Sequence, residues 1–86
     1  MEDTFFVYAI VSEKDNRIYV GFSSDFEKRL KEHNAGKTKS TKGFRPWKPL
    51  YKEVIKGRIE ARNKEKYYKS GIGKEFLKSL LIKMVP

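Results

Sequence analysis

Two short runs of β-branched and aromatic residues, separated by a polar turn, open the chain and predict a β-hairpin. Phe5–Val11 and Arg17–Phe22 contain the residue types that favour strands. The segment Ser12–Asn16 between them is polar and supplies the turn. Because side chains alternate along a strand, each run presents one set of residues to each face of the sheet. The predicted hairpin therefore determines which of these side chains share a face of the sheet, whatever the helices do.

The register of this hairpin decides which side chains lie near one another. With a short, even-numbered turn, Tyr8 pairs with Tyr19 and Phe6 pairs with Gly21. Moving the turn centre by one whole residue keeps both tyrosines on one face, and only an odd turn length separates them. We therefore expect two phenols on the same face, near the bare backbone of Gly21. A glycine inside a strand often marks the close approach of a ligand or another backbone.

A helix is predicted directly after the hairpin. Ser24 and Glu27 form the S-x-x-E pattern of a capping box, and the helix runs to about Asn34, with Gly36 suited to its C-terminal cap. The inward-facing stripe at helical spacing contains Phe26, Leu30 and His33, and Arg29 shares this face. A charged side chain that faces inward has to form an ion pair or serve a function.

The rest of the chain predicts a loop, a strand and two helices, in the order Lys37–Lys48, Leu50–Ile55, Arg58–Ser70 and Lys74–Lys83. The glycines at 71 and 73 separate the two helices, and the last helix is expected to bury Phe76, Leu77, Leu80 and Leu81. The order β-β-α-β-α-α predicts an α+β fold, with a three-stranded, mostly antiparallel sheet flanked by helices. We expect one domain over residues 1–86.

One acid of the third predicted helix stands out. Ala61, Glu65 and Tyr68 form its most apolar stripe, so Glu65 is expected to point inward. Glu65 is equally well placed for an ordinary i, i+4 ion pair with Lys69. Glu60 lies nearer the helix start, where the helix dipole is enough to explain an acid.

Charge and composition narrow the function. The 86 residues have a formal net charge of +9, which favours a polyanionic partner, most commonly nucleic acid. With one histidine and no cysteine, the chain lacks the ligands of an ordinary zinc site and has no disulfides. No serine has the surroundings of a nucleophile elbow. The apolar runs are too short for a signal sequence or a membrane span, so we expect a cytoplasmic protein.

The chain resembles the GIY-YIG nuclease family over Phe6 to about Leu81. The first motif reads Phe6-Val7-Tyr8 and the second reads Tyr19-Val20-Gly21, with Phe6 in place of the usual leading glycine. The resemblance is strongest to short standalone members, which are similar to the N-terminal catalytic domain of the nucleotide-excision-repair nuclease subunit. Further similar segments are Gly21–Leu30, Lys31–Gly36, Ser40–Trp47 and Ala61–Lys69.

This resemblance implies a metal-dependent endonuclease that hydrolyses phosphodiester bonds in DNA, including structured or damaged DNA, with RNA as an alternative. Glu65 would hold Mg²⁺ or Mn²⁺, and Arg29 would stabilise charge on the phosphoryl group. Tyr8 would orient or deprotonate the attacking water, Tyr19 would hydrogen-bond around it, and His33 would assist in proton transfer or positioning. A protein partner would supply specificity.

Each of these residues also has an ordinary structural interpretation. The tyrosines fit a hairpin core, Arg29 fits a solvated helix face, and His33 fits a packed, hydrogen-bonded position. The corresponding alternative function is a non-catalytic nucleic-acid-binding module that retains the fold. A third interpretation is an adaptor that presents its basic face to an acidic protein.

The predicted loop is strongly basic, and we expect it to bind nucleic acid. Lysine and arginine contacts to phosphates position a protein on nucleic acid without reading its sequence. Phe44 and Trp47 could stack on bases, although core packing is the more ordinary role for a tryptophan beside Pro46. The expected phosphate contacts are Lys37, Lys39, Lys42 and Arg45.

Overall fold

Three antiparallel strands carry the fold, and the computed structural model describes residues 3–84. The order of elements confirms the predicted α+β class, with one short helix added between the first helix and the third strand. The elements are β1 Thr4–Ser12, β2 Ile18–Ser23, α1 Phe26–Asn34, α2 Lys39–Lys42, β3 Trp47–Lys56, α3 Arg58–Lys69 and α4 Gly71–Met84.

Strand β1 lies in the middle of the sheet, between β2 and β3, and is antiparallel to both. Its run from Val7 to Ser12 is buried throughout, because helices or loops cover both faces of the sheet. A strand buried on both faces needs a nearly continuous apolar sequence, and β1 has one.

The predicted hairpin register was wrong by two residues. Tyr8 lies opposite Gly21, and Tyr19 lies opposite Ile10. The turn is centred one residue further along the chain than expected. Within it, the Ser12 hydroxyl accepts hydrogen bonds from the backbone N–H groups of Lys14 and Asp15, at 3.0 and 3.3 Å. Asn16 then adopts a positive φ of 65°. A shift of two residues preserves the alternation, so both tyrosines still face the same side.

The two faces of the sheet have separate cores. On one face, Val7, Ala9 and Val20 pack against α3 and α4 through buried residues that include Ala61 and Leu77. The opposite face is covered by α1 and by the segment leading into β3, and its buried residues are Tyr8, Ile10, Phe26 and Trp47. Chemistry-bearing residues from the first half of the chain are therefore gathered on the second face.

Helix α1 begins one residue later than the capping-box pattern predicted. Asp25, not Ser24, is the N-cap, and its carboxylate accepts a hydrogen bond from the backbone N–H of Lys28 at 3.1 Å. Aspartate is well suited to this position, because its carboxylate accepts hydrogen bonds from the free N–H groups of the first turn. Its negative charge also interacts favourably with the positive end of the helix dipole. Phe26 and His33 are buried as predicted, and Leu30 is half-buried.

Three further boundaries differ from the prediction. Residues 37–48 are not a continuous loop, because α2 forms within them and β3 already begins at Trp47. Helix α4 begins at Gly71, so the glycines at 71 and 73 start the helix instead of separating it from its neighbour. Leu77 is buried, but Phe76 is 40% exposed. None of the helices in residues 3–84 combines the length and apolar character needed to cross a bilayer.

Gly73 is the point at which α4 comes closest to α3, and it provides a test of this packing. A Cβ atom here would overlap the backbone carbonyl oxygen of Tyr67. We expect Gly73→Ala to lower the free energy of unfolding by roughly 1–3 kcal/mol, as overpacking does. Gly71→Ala is the control, because its Cβ would meet nothing within 4 Å. Urea denaturation measures both variants, and equal stabilities would contradict the close crossing of the two helices.

Candidate active site

A buried hydrogen bond joins Tyr8 on β1 to His33 on α1. The Tyr8 hydroxyl lies 3.0 Å from His33 Nε2, and both side chains are almost completely buried. The other ring nitrogen, Nδ1, lies 2.9 Å from the hydroxyl of Thr41 on α2. Sequence reasoning missed Thr41, because its role depends on a short helix that the sequence did not reveal.

Gly21 makes room for the Tyr8 hydroxyl. A Cβ atom at Gly21 would lie 2.8 Å from the Tyr8 hydroxyl oxygen and 3.3 Å from the Tyr19 ring. The Tyr19 ring meets the imidazole of His33 edge-on, with 5.0 Å between ring centroids. The two tyrosines and the histidine are therefore grouped around the bare backbone of Gly21, as the predicted common face required.

Arg29 lies beside this group on α1 and is only partly exposed. Its guanidinium donates to a carboxylate oxygen of Glu32 at 2.9 Å, a partner that the sequence analysis did not identify. That hydrogen bond, against the opposing effect of burial, raises the pKa of Arg29. The positive charge of the guanidinium also lowers the pKa of Tyr8, which shows that the two groups are close. Arg29 thus faces the tyrosine, with Glu32 holding it in place.

Burial controls the acidity of Tyr8. It raises the pKa of Tyr8 to about 12, with the neighbouring Tyr19 adding to the rise and Arg29 opposing it. Ionising this phenol at pH 7 therefore costs about 7 kcal/mol, compared with about 4 kcal/mol for a free tyrosine. Arg29 does not offset this effect of burial, so Tyr8 is a neutral phenol in the free protein.

His33 is also neutral at physiological pH. Burial lowers the pKa of His33 to about 4, and the positive charge of Arg29 lowers it further, while Glu32 acts in the opposite direction. A neutral imidazole has one nitrogen that donates and one that accepts a hydrogen bond. Tyr8 and His33 are therefore a neutral phenol and a neutral imidazole joined by a hydrogen bond.

Glu65 lies on α3, the helix that packs on the other face of the sheet. Its carboxylate is still close enough to raise the pKa of Tyr8 through its charge. Oxygen Oε2 accepts an ion-pair contact from Lys69 Nζ at 3.1 Å, which is the i, i+4 pair that the sequence left open. Within residues 3–84, Oε1 accepts no hydrogen bond. One carboxylate oxygen is therefore free for another ligand.

The donor set around Glu65 suits only a weakly held metal ion. Among the described residues, no group of three or more His, Cys, Asp or Glu side chains is arranged to hold one. A divalent ion would have one carboxylate here and would take its other ligands from water and substrate phosphate. Mg²⁺ is commonly bound in this way, so the residues fit that ion.

The predicted phosphate contacts surround α2. Lys39 and Lys42 belong to that helix, Lys37 and Arg45 flank it, and all four side chains are exposed. Trp47, by contrast, is a core residue, since it is buried and its indole N–H donates to the carbonyl of Thr41 at 2.9 Å.

Lys52 is a further basic residue that sequence reasoning did not single out. It lies directly opposite Tyr8 in the β1–β3 pairing. Its ammonium group lies 5.4 Å from the ring centroid of Phe6 and 5.1 Å from that of Phe26. The alternation of β3 could have indicated its face, but only the register places it beside the site.

Comparison with known proteins gives the class of this fold and site. A family model described as the GIY-YIG catalytic domain matches residues 4–76, which include both tyrosines, Arg29, His33 and Glu65. The chain therefore belongs to the GIY-YIG family, a family of nuclease-type domains, as the sequence motifs indicated.

Its relatives are short proteins of the same family. The UPF0213 protein YazA of Bacillus subtilis (strain 168) is 39% identical over 70 residues, which cover 80% of this chain and 71% of that protein. The UPF0213 protein SH2523 of Staphylococcus haemolyticus is 43% identical over 61 residues, covering 70% and 73%. The solution NMR structure of the UPF0213 protein BH0048 from Bacillus halodurans has a TM-score of 0.54 at 31% identity, covering 90% of this chain and 84% of that one.

The neutrality of His33 predicts a pH-dependent stability. Its pKa is about 4 in the folded protein, against an ordinary value of 6.5 for a solvated histidine. The unfolded chain therefore binds more protons below pH 6.5, and stability falls as pH drops from 6.5 towards 4. This histidine should account for a loss of up to about 3 kcal/mol.

NMR titration of the ring signals gives the midpoint directly, because the chain has one histidine. Urea unfolding between pH 7 and pH 4.5 gives the accompanying change in the free energy of unfolding. A ring midpoint near 6.5 would show that the imidazole is not buried with Tyr8.

Proposed function

We propose that this chain is a metal-dependent endonuclease that hydrolyses phosphodiester bonds in DNA in the cytoplasm, using a single domain over residues 1–86. The observation that carries the proposal is the buried hydrogen bond between the Tyr8 hydroxyl and His33, with the charges of Arg29 and Glu65 both in electrostatic reach of Tyr8. A hairpin core needs neither a cation nor a carboxylate beside its tyrosine.

Arg29 would bind the phosphoryl group that is attacked. Its planar guanidinium donates in two directions, so it can hold Glu32 with one edge and a phosphate oxygen with another. Charge that develops on the phosphate oxygens in the transition state would be stabilised by this fixed donor. Because Glu32 already orients the guanidinium, little side-chain entropy remains to be lost on substrate binding.

Tyr8 and His33 would handle the proton of the attacking water. As the water oxygen forms its bond to phosphorus and the bond to the leaving oxygen breaks, the proton of the water passes to the Tyr8 hydroxyl oxygen. The phenol proton passes in turn to His33 Nε2. In the free protein this last transfer is costly, because burial raises the pKa of Tyr8 to about 12 and lowers that of His33 to about 4.

That cost decides when the transfer can occur. Arg29 favours the phenolate and reduces the cost, whereas the negative phosphate of a bound substrate favours the imidazolium but disfavours the phenolate. The resting pair therefore stays neutral, and the transfer would have to be coupled to the attack of the water on phosphorus. Tyr19 would hydrogen-bond around the same water.

Glu65 would hold Mg²⁺ or Mn²⁺ through its free carboxylate oxygen. When bound, such an ion polarises the phosphate and stabilises charge on the leaving oxygen. Lys69, which contacts the other oxygen, orients the carboxylate in the free protein.

The basic segment around α2 would bind the nucleic-acid backbone. Contacts from its four exposed cations to phosphates do not distinguish one base sequence from another. A protein partner would therefore supply specificity. Lys52 extends this positive surface to the β3 side of Tyr8.

Replacing Glu65 tests the enzyme directly. We expect Glu65→Gln to lower the rate of DNA cleavage about 100-fold or more, because the carboxylate that holds the metal is lost. Supercoiled, branched and single-stranded DNA are incubated with Mg²⁺, with Mn²⁺ and with a chelator. Glu60→Gln is the matched control, an exposed acid on the same helix that should keep full activity. If wild type and Glu65→Gln bind DNA and behave identically, the non-catalytic binding module replaces the enzyme.

Salt dependence tests the phosphate contacts. Each phosphate contact contributes about 0.9 to the slope of log K against log salt on duplex DNA, so the pair Lys39→Gln and Lys42→Gln should reduce the slope by about 2. The same change at Lys74 and Lys78 on α4 serves as the control and should leave the slope unchanged. Fluorescence anisotropy with labelled duplex measures both. Equal slopes for the two double variants would remove α2 from the interface.

A further inference from the structure

Thr41 joins His33 to the backbone of α2 through a chain of buried hydrogen bonds. The Thr41 hydroxyl lies 2.9 Å from His33 Nδ1, and both residues are completely buried. The same hydroxyl donates to the backbone carbonyl of Thr38 at 3.3 Å. Trp47 fixes the Thr41 backbone in turn, because its indole N–H donates to the Thr41 carbonyl at 2.9 Å.

This arrangement decides which nitrogen of His33 carries the proton. A threonine hydroxyl has a single proton, and the Thr38 carbonyl can only accept it. Both contacts of the Thr41 hydroxyl are hydrogen bonds only when its oxygen accepts from His33, and this condition places the imidazole proton on Nδ1. Nε2 is left with a lone pair, and the hydrogen bond with Tyr8 must run from the phenol O–H to Nε2. The tautomer of a histidine is set in general by the partner of its second nitrogen.

We propose that Thr41 is a positioning residue that holds His33 in the Nδ1–H tautomer, so that Nε2 accepts the proton of Tyr8. Thr41 does not touch the reacting atoms, and it acts through the imidazole. The consequence for catalysis rests on the proposed nuclease function, whereas the tautomer itself does not.

The direction of the Tyr8–His33 hydrogen bond is what matters for chemistry. When the phenol donates to Nε2, its oxygen lone pairs remain available to Arg29 and to a water molecule. In the opposite tautomer, Nε2–H would donate to the phenol oxygen, and His33 could not receive a proton from Tyr8. The Thr41 hydroxyl, on the far side of the imidazole from the reacting atoms, thus sets the direction in which a proton can pass between Tyr8 and His33.

The sequence offers an unusually clean test, because His33 is the one histidine among the 86 residues. The protein is prepared with ¹⁵N label and without a histidine tag, and long-range ¹H–¹⁵N NMR spectra of the ring are recorded at pH 7. We expect a pyrrole-like signal at Nδ1 and a pyridine-like signal at Nε2 in the wild type. A wild-type spectrum with the proton on Nε2 overturns the proposal without any variant.

Two substitutions separate the hydroxyl from the shape of the side chain. Thr41→Val keeps the shape and removes the hydroxyl, so the pyridine-like signal should move towards Nδ1. Thr41→Ser keeps the hydroxyl and should retain the wild-type pattern. In the cleavage assay we expect Thr41→Val to lower kcat about 10- to 100-fold with little change in KM, as loss of an orienting partner does. Thr41→Ser should retain most of kcat.

The outcomes distinguish this inference from the proposed function. An unchanged ring spectrum in Thr41→Val shows that the hydroxyl does not fix the tautomer. A shifted tautomer with unchanged kcat shows that Thr41 does not position a working relay. If the wild type cleaves no DNA while its ring shows the Nδ1–H tautomer, the nuclease proposal fails and the assignment of the tautomer stands. If Thr41→Val does not fold, the wild-type and Thr41→Ser spectra decide the assignment.

Discussion

The buried hydrogen bond between Tyr8 and His33 is the contact on which the arrangement of the site depends. It ties the central strand to the first helix, and it satisfies two polar groups that would each cost about 1–3 kcal/mol if left unpaired in the interior. Each partner is fixed by a further feature of the fold. Gly21 leaves the space that the phenol occupies, and Thr41 supplies the second partner of the imidazole. The same burial raises the pKa of Tyr8 and lowers that of His33, so this pair is neutral in the free protein.

The two faces of the central strand have different roles: one holds most of the apolar core, and the other holds the candidate active site. The face under α3 and α4 is largely apolar. Among the described residues it holds one polar network, whose groups bond to one another. There the hydroxyl groups of Tyr68 and Tyr51 both donate to Glu53, at 2.7 and 3.1 Å. Burial alone would raise the pKa of Glu53, but these hydrogen bonds and the charge of Lys64 lower it. The other face holds the tyrosines, the histidine and Arg29. Glu65 connects the two sides, since it belongs to α3 yet acts electrostatically on Tyr8.

Much of this arrangement was accessible from the sequence, and the failures have physical causes. The alternation of β1 and β2 was enough to place both tyrosines on one face, and helical spacing placed Arg29 and His33 towards them. The hairpin register was wrong because the hydrogen bonds of the Ser12 hydroxyl and the positive φ of Asn16 centre the turn one residue later than the strand patterns suggest. Helix α2 was missed because its four residues are too few to show a helical pattern, and Thr41 was missed with it. The protonation state of Tyr8 could not be predicted, because composition reveals charges but not the burial that outweighs them.

The sequence by itself determined the class of fold, the common face of the tyrosines and the basic character of the surface. These properties follow from side-chain periodicity and net charge, which survive a shift of register by two residues. Only the tertiary structure decided that Tyr8 meets Gly21, that Lys69 occupies one oxygen of Glu65 and that Thr41 reaches His33. It also decided that Tyr8 and His33 are neutral. Distances between separate elements and the extent of burial depend on how helices pack on the sheet, and no local pattern of residues contains that information.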